Sequence, residues 1–135
     1  ITQICDKKQG YTQFGGLRPF GVSFLFAGYD EHFGFQLYHT DPSGNFSGWK
    51  ATAIGQNNQT AQSLLKQEWK DDLTLQQGLT IVGKCLLKTL DTTTPTADKL
   101  EFGILTLVEG KAKYRLLKAD EITKVMADAA PEPEA

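Results

Sequence analysis

The sequence predicts a mixed α+β protein, and three observations carry that prediction. Apolar residues alternate with small or polar ones over 20–29, 35–40 and 46–54, the period of a strand, and recur at helical spacing over 59–70 and 74–90. Read along the chain, the order is helix, three strands, two helices, two strands, helix, which places strands on both sides of a helix pair. The 135 residues are 40% hydrophobic and 22% charged, enough for one domain with a core and too apolar for a disordered chain.

Each element has its own signature. Over 1–12, Ile1, Ile4, Cys5 and Tyr11 lie near one stripe with Asp6, Lys7 and Lys8 opposite, a short amphipathic helix that opens inside its own pattern. Gly15-Gly16 stops it, and Arg18-Pro19 keeps the next step extended. Phe20, Val22, Phe24 and Phe26 share one strand face. Gly21, Ser23, Leu25 and Ala27 share the other, and because these are small or apolar too, both faces are expected to be covered. After a loop over 30–34, Phe35, Leu37 and His39 alternate with Gln36, Tyr38 and Thr40. Asp41-Pro42-Ser43-Gly44 then reads as a type I turn, and a strand over 46–54 completes a meander.

In the first of the two helices, 59–70, Ala61, Leu64, Leu65 and Trp69 recur at helical spacing, with Asn57 or Asn58 as cap. In the second, Leu75, Leu79, Val82, Leu86 and Leu90 form a stripe capped by Asp72 or Thr74, and the short link over 71–73 predicts an antiparallel pair. Thr92 to Ala97 is a threonine-rich loop containing Pro95. Leu100–Val108 and Ala112–Lys118 flank Glu109-Gly110-Lys111 as a hairpin, with Phe102, Ile104 and Leu107 or Val108 in the core. A helix over 120–127 and a disordered acidic tail over 128–135 end the chain; no internal repeat is found.

Chemistry is sparse. Fourteen basic against sixteen acidic side chains give a net charge of −2, so nucleic acid and anionic membrane are not expected as partners. No run reaches the roughly 20 apolar residues of a membrane helix, and no signal peptide opens the chain. Two distant cysteines point to a reducing, intracellular compartment. His32 and His39 lack the ligand spacing of a metal centre, so neither metal nor cofactor is expected. Cys5 and Cys85, on apolar helix faces, read as small buried hydrophobes rather than nucleophiles. Lys111, Lys113 and Arg115 alternate on one strand with Lys118 beyond, a solvated or edge face. The two glycosylation sequons, at Asn45 and Asn58, read as chance matches. A hydrolase elbow, a phosphate loop and a dinucleotide fingerprint are all missing, and proline splits the Asp-Ser-Gly order within Asp41-Pro42-Ser43-Gly44. An N-terminal-threonine mechanism finds no support: Ile1 has no hydroxyl, and Thr2 lies in the helix.

Two long segments carry a resemblance. Tyr11-Thr12-Gln13-Phe14-Gly15-Gly16-Leu17-Arg18-Pro19-Phe20-Gly21-Val22-Ser23 resembles the helix-to-strand segment of proteasome alpha-type subunits. Asp41-Pro42-Ser43-Gly44 followed by Gly48-Trp49-Lys50-Ala51-Thr52-Ala53-Ile54-Gly55 matches the same family in order and register. Ile4-Cys5-Asp6, Gly34-Phe35-Gln36-Leu37-Tyr38 and Leu64-Leu65-Lys66-Gln67 narrow the resemblance to one type among those subunits. It covers residues 1–127 as the C-terminal part of the family's domain.

The resemblance implies a four-layer αββα sandwich of the N-terminal-nucleophile hydrolase type, with its N-terminal part missing from this chain. It implies a non-catalytic subunit of the 20S core particle, in the outer ring that gates substrate entry, docks activators or the regulatory particle, and supports the beta rings in ubiquitin-dependent degradation. The implied partners are other alpha subunits and beta subunits, in cytoplasm and nucleus. The competing reading is an active threonine peptidase of the beta type, against which Gly48-Trp49-Lys50-Ala51 argues. Gly15, Gly16, Arg18, Pro19 and Gly21 are expected to form a structural turn, the glycines by permitting a tight bend and close backbone approach, and Arg18 as a hydrogen-bonded anchor. Tyr11, Phe14 and Arg18 are the expected subunit contacts. Phe46 and Trp49 are expected to fill core or layer contacts. The family's activator-pocket lysine is expected upstream, so no activator contact carries over.

Overall fold

Helix α1 (Thr2–Gln13) leads through an irregular segment into an antiparallel sheet of β1 (Phe24–Asp30), β2 (Gly34–Thr40) and β3 (Phe46–Trp49), with β2 in the centre. The computed structural model describes residues 1–90 and 95–131. The register runs from Phe24↔Thr40 to Asp30↔Gly34 between β1 and β2, and from Leu37↔Trp49 to Thr40↔Phe46 between β2 and β3. Side chains fix both hairpins. Asp30 Oδ1 accepts from the His32 and Phe33 N–H groups at 2.8 and 3.1 Å. At the second turn the Gly44 N–H donates to the Asp41 carbonyl at 3.2 Å, while the Asp41 carboxylate accepts from the Ser43 N–H, the Ser43 hydroxyl and the Asn45 N–H. Such Asx bonding is why aspartate favours the start of a turn.

Beyond Ile54 come α2 (Asn58–Glu68), α3 (Leu75–Thr89), a short 3₁₀ turn (Ala97–Lys99), the hairpin of β4 (Gly103–Val108) and β5 (Lys111–Leu116), and α4 (Ala119–Ala129). Glu109 and Gly110 both take positive φ, 53° and 74°, the two-residue turn that matches strand twist. Leu100, Phe102, Ile104, Leu117, Ile122, Val125 and Met126 form the buried core here, with Leu79, Leu86, Leu87 and Ala97 packed on it. Where the length suggests one domain, contacts divide the chain into two compact units, 1–54 and 55–135, each holding its own sheet.

Several expectations are corrected. The first strand begins at Phe24 rather than Phe20, because its partner runs out: Thr40 opposes Phe24 and the chain turns at Asp41. The third ends at Trp49, where bends at Lys50 and Ala51 turn the chain away. Residues 1–54 do not cover both sheet faces; Phe24, Leu25 and all of β3 are exposed, as expected when one helix is the sheet's only helical neighbour within that unit. Phe46 and Trp49 are therefore exposed rather than core-filling; the Trp49 indole donates to Ser47 Oγ at 2.8 Å, and Phe46 pairs with Tyr38 at 6.4 Å between centroids. Asn57 does stand at the N-cap position of α2, where its carbonyl accepts from the Thr60 and Ala61 N–H groups, but neither asparagine side chain caps a helix N–H. Their side-chain amides donate instead to carbonyls, Asn57 to Thr89 at 3.0 Å and Asn58 to Gly55 at 2.7 Å. Thr74 does cap α3, in a reciprocal box with Gln77.

The stripe of α3 splits, since α3 packs on both α2 and α4: Ile81 and Cys85 are buried, while Leu75, Val82 and Leu90 stay exposed. Leu107 and Val108, near the hairpin tip, are also exposed. Helix α4 runs to a buried Ala129, so Asp128 and Ala129 belong to the helix and not to the tail. Residues 132–135 of the expected tail and 91–94 around the threonine-rich loop lie outside the described residues.

Candidate functional site at the end of helix α1

Helix α1 ends at Gln13, where Phe14 turns extended and its N–H donates to the Gly10 carbonyl. The sequence that follows has little to bury. Phe14 is 71% exposed and Leu17 69%, and Lys7, Gly10, Tyr11, Phe14, Gly15 and Leu17 line an open depression of about 290 Å³. Tyr11 meets Phe20 edge-on at 5.0 Å between centroids, which ties the helix to the start of the extended segment. Of the expected contact residues, the structure brings Tyr11 and Phe14 to one depression and leaves Arg18 outside its lining.

The turn is looser than the sequence suggests. Gly16 has φ +113°, a conformation that L side chains rarely adopt, whereas neither Gly15 nor Gly21 has positive φ. A Cβ at Gly15 or Gly16 would meet nothing within 4 Å, and at Gly21 only Arg18 Nη1 at 3.5 Å, so the close backbone approach expected there is absent. Arg18 donates to the adjacent Pro19 carbonyl at 3.4 Å, too long and too local to anchor a bend.

The close approach lies at Gly44 instead. With φ +95°, Gly44 sits so near α1 that a Cβ would come within 2.5 Å of the Cys5 carbonyl oxygen and 3.0 Å of the Gln9 nitrogen. Beside it is the residue that the sequence reading placed on the solvent face. Lys8 is 1% exposed and Thr40 0%. Lys8 Nζ donates to Thr40 Oγ1 at 2.9 Å, to the Asp41 carbonyl at 3.1 Å and to the Val22 carbonyl at 3.2 Å, and stands 4.6 Å from the Phe24 ring centroid. A helical wheel assigns any lysine to water, so this burial left no periodic signal; the tight Asp41–Gly44 turn beneath it was the available one.

A threonine hydroxyl beside a lysine amine has the composition of a nucleophile and its base. The geometry denies both roles. Thr40 is inaccessible, and Lys8 Nζ is buried and committed to three oxygens, so neither is placed to meet a substrate. The Asp41 carboxylate is held below the usual range chiefly by the Ser43 hydroxyl, helped by the Ser43 and Asn45 N–H groups and opposed by burial. Among the described residues, no group of three or more metal-ligating side chains comes together, and no helix is long and apolar enough to cross a membrane. What the site can do is hold helix and turn together while presenting Tyr11, Phe14 and Leu17.

A fold of mixed helix and sheet with a presented apolar junction fits the family read from the motifs. Residues 1–105 match the family model described as Proteasome subunit, and the chain belongs to that family. It is similar to the proteasome subunit alpha type-4 of Spinacia oleracea, 54% identical over 130 residues covering 96% of this chain and 52% of that protein. Proteasome subunit alpha type-4-A of Arabidopsis thaliana is 55% identical over 127 residues, 93% of this chain and 51% of the relative. Alpha type-4-2 of Oryza sativa subsp. japonica is 53% identical over 140 aligned positions, 100% of this chain and 56% of the relative. The type to which the flanking motifs narrowed the resemblance is thus alpha type-4. The chain spans about half the length of these relatives.

Proposed function

We propose that this chain is part of a non-catalytic, structural alpha subunit of the 20S proteasome core. Its similarity to alpha type-4 subunits over nearly all of its length carries the reading. In that role it stands in the outer ring, gates substrate entry, docks activators or the regulatory particle and supports the beta rings in ubiquitin-dependent degradation, in cytoplasm and nucleus. Its domain is a four-layer αββα sandwich, of which this chain, through the end of α4 at Ala129, forms the C-terminal part. Two physical features support this. The Thr40–Lys8 pair is buried and fully hydrogen-bonded, unsuited to attack on a peptide. Exposed Phe14, Leu17, Phe33, Tyr114 and Leu116 leave apolar surface of the kind that subunit contacts cover. Gly15 and Gly16 serve as the bend, and Arg18, Pro19 and Gly21 as the irregular continuation, that present Tyr11 and Phe14 to a neighbour.

The test is covalent labelling with a threonine-directed electrophilic probe on the complete polypeptide, purified with its partners, followed by peptide mass spectrometry. No peptide of this chain should carry the probe, while copurifying beta subunits should. Labelling of this chain would replace the proposal with the active beta-type peptidase reading.

A further inference from the structure

We infer that Lys8 is an ammonium latch: its three N–H donors, rather than its aliphatic stem, dock α1 on the end of β2, and a small primary alkylammonium ion can take their place. The donors reach three separate segments, Val22 ahead of β1, Thr40 at the end of β2 and Asp41 in the turn. All three acceptors are neutral oxygens. The Asp41 carboxylate is committed to Ser43 and Asn45. The charge is therefore held by carbonyl and hydroxyl dipoles and by the face of Phe24, a cradle suited to a primary ammonium.

Apolar burial fastens the helix only in part, through Cys5 and the Tyr11–Phe20 ring contact. Cys5 and Lys8 are the residues that α1 buries among those described, and Ile1 and Ile4 on its apolar stripe remain exposed. Gly44 lets the turn come close enough for the donors to reach. Removing the ammonium while keeping the stem leaves buried acceptors without donors, a penalty that apolar packing does not repay. This inference concerns the polar contact alone and stands whichever subunit role the chain has.

The experiment is amide hydrogen exchange read by mass spectrometry, on the complete polypeptide with its partners in place. Lys8→Met keeps the stem; Lys8→Ala removes the three carbons and the nitrogen that propylammonium supplies. Protection of α1 is expected to fall about tenfold or more in both variants, with β1 and β2 little changed. Propylammonium should restore protection to Lys8→Ala several-fold. Tetramethylammonium, a cation without N–H donors, and 1-propanol, a neutral stem, should not at the same concentration. Equal rescue by 1-propanol, no rescue by propylammonium, or wild-type protection in Lys8→Met would each overturn the inference. If Lys8→Ala fails to assemble, Lys8→Met decides: lost protection supports the latch and undiminished protection overturns it.

Discussion

Gly44→Ala is the sharpest perturbation of the helix–turn junction. Two costs add. A side chain at φ +95° carries backbone strain of about 1–2 kcal/mol. The new methyl would also lie 2.5 Å from the Cys5 carbonyl oxygen and 3.0 Å from the Gln9 nitrogen, both backbone atoms that cannot rotate aside. Helix α1 must retreat, which stretches the Lys8 bonds to Thr40 and Asp41 beyond their 2.9 and 3.1 Å, and overpacking of this kind costs about 1–3 kcal/mol. The total is about 2–5 kcal/mol. Gly16→Ala isolates the first cost, since Gly16 also has positive φ but open space around its Cβ, and should lose only about 1–2 kcal/mol. Hydrogen exchange of α1 amides under conditions where exchange reports opening equilibria gives both numbers. With Lys8→Met as background, the Gly44→Ala cost should shrink, because the two act on one contact. A Gly44→Ala cost no larger than that of Gly16→Ala would refute the close approach.

Thr74→Ala should destabilise the start of α3 by about 1 kcal/mol, seen as faster exchange of its first-turn amides, because it breaks the reciprocal box with Gln77. Asp41 and Glu121 have lowered pKa values, set chiefly by the Ser43 hydroxyl and the Arg115 guanidinium respectively. Their contributions should be complete above the unfolded carboxylate range of about 4 and fade as pH falls through the lower folded values, which carboxyl chemical shifts against pH would follow; titration at the unfolded range would contradict this. Cys85 is buried and its thiol is pushed up first by desolvation and then by Glu68. Iodoacetamide at neutral pH should alkylate it at least about tenfold more slowly in the folded protein than in denaturant, by mass spectrometry of the Cys85 peptide.

What the sequence disclosed follows from which forces have a period. The elements themselves were legible because alternation and helical spacing survive in one dimension: β2 was misplaced by a single residue, and Phe102, Ile104, Cys5 and Cys85 are buried as read. Strand ends were less so, since the start of β1 depends on where its partner turns, at Asp41, and not on Phe20 or Val22. Asn57 takes the N-cap position that the sequence offered, but its side-chain amide and that of Asn58 go to the Thr89 and Gly55 carbonyls rather than to the helix end. At the candidate site, Tyr11 and Phe14 were named through the family resemblance, and the structure places both on one depression. Lys8 was not legible, because its burial depends on three oxygens from 14 to 33 residues away in sequence. Gly44 was visible as a turn residue, but the helix backbone pressed against it was not.

The proposed place of this chain, within a structural alpha subunit of a larger particle, is open to direct observation. Single-particle cryo-electron microscopy on material isolated through a tag on the complete polypeptide tests it directly. Ring-stacked particles are expected, with the side chains of this sequence traced in the outer ring and Tyr11, Phe14 and Leu17 against a neighbouring subunit. A dispersed monomer, or density for this sequence in the inner, proteolytic ring, would contradict that placement.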